Sequence, residues 1–152
     1  MNNTIKQLSD SDVPLLKKLL KVFAEAFRDP ETYQGALPTD EYLQTLLRRQ
    51  HFIALVAVDD ENNVSGGLAA YELEKFEQER SEIYIYDLAV AEPQRRKGIA
   101  KALINELKKI ARERGVYVIF VQADSGDDPA IKLYESFGVR EDVHQFDIPV
   151  NE

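Results

Sequence analysis

The sequence has 152 residues, the length of one domain, since domains run to roughly 100–200 residues, and 44% of it is apolar, enough to bury a core. Acids outnumber Lys plus Arg by 27 to 19, a net charge of −8; such a surface repels nucleic acid and anionic membranes and attracts polycations, although an acidic balance is also an ordinary solubility device. The absence of Cys excludes disulfides, thiolate metal sites and acyl transfer through a protein thioester; no apolar run approaches the ~20 residues of a membrane span, and the start, MNNTIKQLSDSD, lacks a secretory signature, so the expected location is the cytoplasm.

Thr4 to Leu8 alternates weakly and reads as an edge strand. After Asp12, a candidate N-cap, and Pro14 in the first turn, Leu15, Leu16, Leu19, Leu20, Phe23 and Phe27 recur at helical spacing. Thr39 precedes a shorter amphipathic helix with Tyr42, Leu43, Leu46 and Leu47, and Arg48 and Arg49 suit its last turn. His51 to Val58 and Val64 to Leu73 are rich in strand formers and flank the polar turn Asp59-Asp60-Glu61-Asn62-Asn63, the pattern of an antiparallel hairpin.

Glu82 to Val90 (EIYIYDLAV) is a third strand-like run. Glu92-Pro93 and a basic segment follow, then a long helix with Ile99, Leu103, Leu107, Ile110 and Ala111 on one stripe, ended by Gly115. Val116 to Val121 (VYVIFV) is unbroken apolar sequence, which predicts a strand covered on both faces. Asp128-Pro129 opens a helix with Ile131, Leu133, Tyr134 and Phe137, Gly138 closes it, and Val139 to Ile148 reads as a last strand. No repeat, low-complexity tract or linker interrupts the series, so residues 1–152 read as a single domain. The element order predicts an α/β (α+β mixed) fold, a twisted mixed sheet with helices on both faces.

The segment Gln94-Arg95-Arg96-Lys97-Gly98-Ile99-Ala100 breaks a local rule, because cations at a helix N-terminus oppose its dipole at about 0.3–1 kcal/mol each. A bound anion would offset this: the helix start offers unpaired N–H groups, Gly98 keeps side-chain bulk away from them, and the cations meet the remaining phosphate charge. That chemistry suits the diphosphate of coenzyme A. Taken alone, the pattern also fits a solvated basic turn.

In context, Arg95-x-x-Gly98-x-Ala100 resembles the Q/R-x-x-G-x-G/A pyrophosphate signature of the GNAT superfamily of N-acetyltransferases, with Ala100 in place of the second Gly. Asp128 to Gly138, with Ala130, Tyr134 and Phe137, is similar to the family's next motif, Asp128 standing where Asn is common. Three segments, KFEQERSEIYIYDLAV (Lys75 to Val90), RRKGIAKALI (Arg95 to Ile104) and YVIFVQADSGDDPAIKLY (Tyr117 to Tyr134), resemble those of type I aminoglycoside 3-N-acetyltransferases. The likeness runs from about Phe52 to Ile148 and is weakest across the first two helices, which help form the acceptor side in this family.

The resemblance implies a GNAT fold in which the EIYIYDLAV and VYVIFV strands run parallel and splay apart, with acetyl-CoA in the wedge. Backbone groups of Leu88, Ala89 and Val90 would pair with the pantetheine, and amides of Arg95, Arg96, Lys97, Gly98, Ile99 and Ala100 would grip the pyrophosphate. Tyr134 falls at the family's tyrosine position, which makes it a contact for the cofactor and the acid that protonates the departing thiolate; a Tyr packing a helix onto a sheet fits the same residue.

Asp87, immediately before Leu88, is the candidate base, and Glu82 on the same strand is the second; either also fits an exposed strand carboxylate. Around the expected acceptor entrance, Glu82, Asp87, Asp124, Asp127 and Asp128 would hold ammonium groups, with Glu141 and Asp142 near the last strand, although a solvated loop whose Asp128 caps a helix explains some of them as well. His51 and His144 have no carboxylate at a diagnostic spacing, and no metal is implied.

The implied reaction is acetylation of the 3-amino group of the deoxystreptamine ring of an aminoglycoside, giving antibiotic resistance, by an enzyme expected to be a homodimer as family members often are. Two other readings share the donor site: a polyamine or peptide N-acetyltransferase, and a non-catalytic acyl-CoA-binding sensor. A sensor would not need both Asp87 and Tyr134.

Overall fold

The run Phe52–Val58 carries no polar side chain and is buried along its whole length, so it can only be a central strand covered on both sides. The computed structural model describes residues 3–151. Its elements are β1 (Thr4–Gln7), α1 (Val13–Ala26), α2 (Pro30–Gln34), α3 (Asp40–Arg48), β2 (Phe52–Val58), β3 (Val64–Glu74), β4 (Ser81–Val90), α4 (Ile99–Arg114), β5 (Val118–Val121) and α5 (Asp128–Glu135), with a 3₁₀ turn at Glu92–Gln94. The strands form one sheet in the order β1-β2-β3-β4-β5, antiparallel except for the parallel pair β4 and β5. A boundary after Gln122 divides the chain into two compact units, the sheet with α1 to α4 in the first and α5 in the second.

Alternation along β2 sends its side chains into two cores. Phe52, Ala54, Val56 and Val58 pack with Leu16, Leu19 and Phe23 of α1 and Leu43 and Leu47 of α3. Ile53, Leu55 and Ala57 pack with Leu68, Ile83 and Ile85 and with Leu103, Leu107 and Ile110 of α4. The expected helices on both faces are therefore present in the first unit. Gly67 of β3 allows α1 this close: a Cβ there would stand 2.5 Å from a Leu19 methyl carbon. At the far end of α4, Gly115 adopts the left-handed conformation that terminates the helix, with φ 73°.

Five expectations need correction. Asp12 occupies the N-cap position of α1 without capping it; its carboxylate accepts from the Ser9 N–H at 2.8 Å and from Lys6 Nζ at 3.0 Å instead. β5 is not covered on both faces, for Val118 and Phe120 are 39% and 36% exposed. In the second unit, Asp127 rather than Asp128 caps α5, accepting from the Ala130 N–H at 3.4 Å, and the helix ends at Glu135 with Ser136 as its C-cap. Val139 to Ile148 forms no strand: its apolar residues are unevenly spaced, Val139, Val143, Phe146 and Ile148 are all exposed, and no strand among the described residues pairs with its backbone.

Candidate functional site

The feature that builds the site is a β-bulge. Ala69 of β3 faces Asp87 while Ala70 faces Ile85, so Tyr86 is an extra residue in β4. Strict alternation would send Asp87 to the side of Ile83 and Ile85, into the apolar core under α4. The bulge turns it to the opposite side, where it meets α2.

Asp87 is half-buried, and its Oδ1 accepts a hydrogen bond of 3.0 Å from the Tyr33 hydroxyl. Burial pushes the Asp87 carboxyl above its ordinary value of 3.8, and the bond from Tyr33 draws it partly back. The Tyr33 hydroxyl is itself pushed up, first by burial and then by the charge of Asp87, so it stays a donor throughout the neutral range. Its ring lies 5.7 Å from Phe23 and 5.6 Å from Phe27, which anchors α2 to α1.

The sequence reading missed α2 and with it Tyr33, although the signal was present. Asp29-Pro30-Glu31-Thr32 is an N-cap followed by proline at the first helical position, and Asp29 Oδ1 accepts from the Thr32 N–H at 3.1 Å. The similar Asp128-Pro129 pair did reveal α5, although its cap lies one residue earlier, at Asp127.

Beyond the bulge, β4 has one free edge. Its pairing with β5 ends at Ile85 and Val121, whereas its pairing with β3 continues to Val90. Residues 86–90, which include Leu88, Ala89 and Val90, therefore have no β5 partner, the condition for accepting an extended ligand as an added strand. Arg95 folds back toward this edge, its Nε donating to the Val90 carbonyl at 3.1 Å.

The basic turn leads from there into α4. Arg96 and Gly98 both have positive φ, 66° and 78°, and no side chain among the described residues caps this 16-residue helix, which leaves its first N–H groups without a capping partner there. Nothing lies within 4 Å of where a Cβ on Gly98 would stand. Among the described residues Arg95, Arg96 and Lys97 form no ion pair, and Lys97 instead donates to Gln94 Oε1 at 3.2 Å. A cavity of about 790 Å³ opens beside the turn, lined by Gln94, Lys97, Gly98 and Ile99 among others but not by Asp87. Open space, exposed amides and unpaired cations fit a diphosphate.

Glu82 sits at the other end of β4 and is engaged: Tyr117 Oη donates to it at 3.2 Å and Lys75 Nζ lies at 3.7 Å. Asp124, Asp127 and Asp128 are all in the second unit, where the Asp127 N–H donates to the Asp124 carbonyl and Asp128 stands in the first turn of α5. Tyr134 is on the same helix, and Arg140 pairs with Asp142 at 2.8 Å. His51 stacks on Tyr71 at 6.2 Å, and His144 is exposed. Among the described residues no group of three potential ligands could hold a metal, and no helix is long and apolar enough to cross a membrane.

A family model described as the acetyltransferase (GNAT) family matches residues 16–139. The structure is similar to that of an aminoglycoside acetyltransferase, HMB0005, from an uncultured soil metagenomic sample: 56% identity, TM-score 0.96, covering 99% of this chain and 100% of that one. It is also similar to meta-AAC0020, an aminoglycoside acetyltransferase from an uncultured soil metagenomic sample in complex with sisomicin, at 34% identity and TM-score 0.90, covering 98% of this chain and 97% of that one. A curated relative, the uncharacterized N-acetyltransferase YycN of Bacillus subtilis (strain 168), is 35% identical over 65 residues, 43% of this chain, and the match spans 42% of that protein's length.

Proposed function

The chain belongs to the GNAT family of acetyltransferases, and on that premise we propose that it acetylates the 3-amino group of the deoxystreptamine ring of aminoglycosides, by direct transfer from acetyl-CoA in a ternary complex. The observation that carries the proposal is Asp87, a half-buried carboxylate on the stretch of β4 that has lost its β5 partner, with one oxygen fixed by Tyr33. The likeness to two aminoglycoside acetyltransferases over nearly the whole chain supports the acceptor class. The reading treats residues 1–152 as one catalytic domain, and the family match runs across the boundary after Gln122.

When bound, acetyl-CoA supplies the acetyl group as an activated thioester. Amides of Gly98, Ile99 and Ala100 and the cations of Arg95, Arg96 and Lys97 hold its diphosphate, and the free edge at Leu88, Ala89 and Val90 holds its amide-bearing arm. Asp87 Oδ2, the oxygen that Tyr33 leaves free, takes the proton the attacking amine sheds, directly or through water. Burial raises the affinity of this carboxylate for a proton above that of one in water, which makes it the stronger base. Tyr134 Oη gives a proton to the departing sulfur. Glu82, Asp124, Asp127 and Asp128 attract the other ammonium groups of the acceptor.

N-Acetylation removes one positive charge and adds bulk, which weakens a drug held on ribosomal RNA by its ammonium groups and so gives resistance. A cytoplasmic homodimer is part of the same proposal. The test offers the enzyme acetyl-CoA with gentamicin, spermidine or a lysine peptide in parallel, follows thiol release, and places the acetyl group by NMR. Release with gentamicin and an acetyl on N-3 is the expected result; no release with gentamicin, or an acetyl on another nitrogen, overturns the assignment.

A further inference from the structure

Beside Asp87 runs a strip of aromatic rings whose inner end, Phe52 and Tyr71, belongs to the core under α1 and whose outer rings the proposed proton transfers do not use. Three registers share one line across the sheet: Phe52 opposite Tyr71, Tyr71 opposite Tyr84, and Tyr84 opposite Phe120. Four successive strands, β2 to β5, thus each contribute one aromatic residue to a single row. Phe52 and Tyr71 have centroids 5.3 Å apart, and Tyr84 stacks on Phe120 at 4.8 Å with only 11° between the planes.

Tyr86, the extra residue of the bulge, meets Tyr71 edge-on at 6.1 Å and Tyr84 at 5.8 Å, which brings it onto the same face beside the row. From 8% at Phe52, exposure reaches 36% at Phe120 and 61% at Tyr86. Rings that open to water toward β5 do little for the core, and polar residues would serve the solvent face better.

Charge selects the occupant. Asp87 lies next to Tyr86 in sequence, and Glu82 lies two residues before Tyr84 on the same strand. Carboxylates beside electron-rich ring faces attract ammonium groups, while the rings themselves accept the C–H faces of a saturated six-membered ring. The cation–π contact the chain makes for itself, Arg80 over Tyr117 at 4.0 Å, is on a different ring and leaves the strip open. Tyr84 Oη donates to Gln122 Oε1 at 3.0 Å, which fixes its ring.

We infer that the strip Tyr71–Tyr84–Tyr86–Phe120 is the acceptor subsite, which stacks a rigid cyclic polyamine of the aminocyclitol type and thereby selects it over a linear polyamine or a peptide. The inference rests on the acetyltransferase reading above and goes beyond it by naming the surface that sets acceptor class. Linear polyamines can meet the carboxylates but have no ring face to lay on the row.

The test is direct binding. Gentamicin and spermidine are titrated calorimetrically into the intact protein and into Tyr86→Leu, Tyr86→Phe and Phe120→Leu, with acetyl-CoA binding measured alongside. Leucine keeps apolar area but removes the π face, so Kd for gentamicin is expected to rise about tenfold in both leucine variants and to stay within twofold in Tyr86→Phe. Acetyl-CoA binding is expected to be unchanged in all three, which also reports that they are folded. Leucine variants that hold gentamicin as tightly as the parent overturn the subsite and leave the proposed reaction standing. Parent protein that binds spermidine more tightly than gentamicin overturns the subsite as well. Failure of the reaction itself is read separately, from thiol release, because binding needs no turnover.

Discussion

Replacing Tyr33 by Phe removes one hydroxyl and leaves the ring on Phe23 and Phe27, so it isolates the bond to Asp87 Oδ1 at 3.0 Å. Burial raises the Asp87 carboxyl and the Tyr33 bond opposes it. With the donor gone, burial acts alone, so the carboxyl keeps its proton to higher pH, and a protonated carboxyl cannot act as the base. Hydrogen bonds to charged acceptors contribute about 1.5–3 kcal/mol, and water reaching this half-buried site replaces part of that. A remaining loss near ~1.4 kcal/mol corresponds to about tenfold. On the acid limb, kcat/KM for gentamicin is therefore expected to fall about tenfold in Tyr33→Phe, and the two profiles should converge at alkaline pH. Stability follows the same direction: a carboxyl raised above its unfolded value favours the folded state at low pH and loses that contribution as pH rises through the window above 3.8, more so in the variant. The assay is thiol release from pH 5 to 9 with a thermal melt at each end. An acid limb that does not move, or a loss of rate equal at every pH, would refute Tyr33 as the group that tunes Asp87.

Three further predictions follow from the same geometry. Asp87→Asn keeps an acceptor for Tyr33 while removing the base; kcat should drop at least tenfold, with general-base losses typically 10²–10⁴, and turnover like the parent's would defeat the role. Gly98→Val forces a β-branched residue to φ 78° at about 1–2 kcal/mol and fills space that is open in the protein, so acetyl-CoA binding should weaken while Gly98→Asn, which tolerates that backbone, reports the side chain alone; an unchanged Kd in both moves the diphosphate elsewhere. Asp29→Ala removes the cap of α2, worth about 0.5–2 kcal/mol, and because that five-residue helix carries Tyr33 it should displace the acid limb in the same direction as Tyr33→Phe; a normal pH profile would detach α2 from the site.

Much of the fold was legible because its signals are local. The hairpin at Asp59 to Asn63, the stripe of α4 between Gly98 and Gly115 and the fully apolar β2 each rest on spacing or on a turn residue within one short stretch. The basic turn before α4, the proposed diphosphate site, stood out for the same reason, since three cations at a helix start violate a rule visible in sequence. What local signals could not give was pairing. Val116 to Val121 is apolar without interruption, yet β5 is an edge strand with one face open, and nothing in its own residues says how many neighbours it has. Val139 to Ile148 shows the opposite error: strand-like residues without a partner strand remain unpaired.

The position of Asp87 is the sharpest case, because the reading chose the residue through a premise that alternation contradicts. In Ile83-Tyr84-Ile85-Tyr86-Asp87 the period of two is unbroken, and carried one step further it buries Asp87 with Ile83 and Ile85 beneath Leu103 and Leu107. A carboxylate there would lose its hydration with no cation or donor to replace it, a penalty of several kcal/mol. One extra residue in β4 avoids that by exchanging faces, where the register shifts opposite Ala69 and Ala70. The conflict between pattern and charge was therefore visible in nine residues, while its resolution needed the neighbouring strand. An acid that falls on the apolar phase of a strand is a marker for a bulge, and in this chain the bulge puts Asp87 on the same face as Tyr84 and Tyr86, at the start of the stretch of β4 that has no partner in β5.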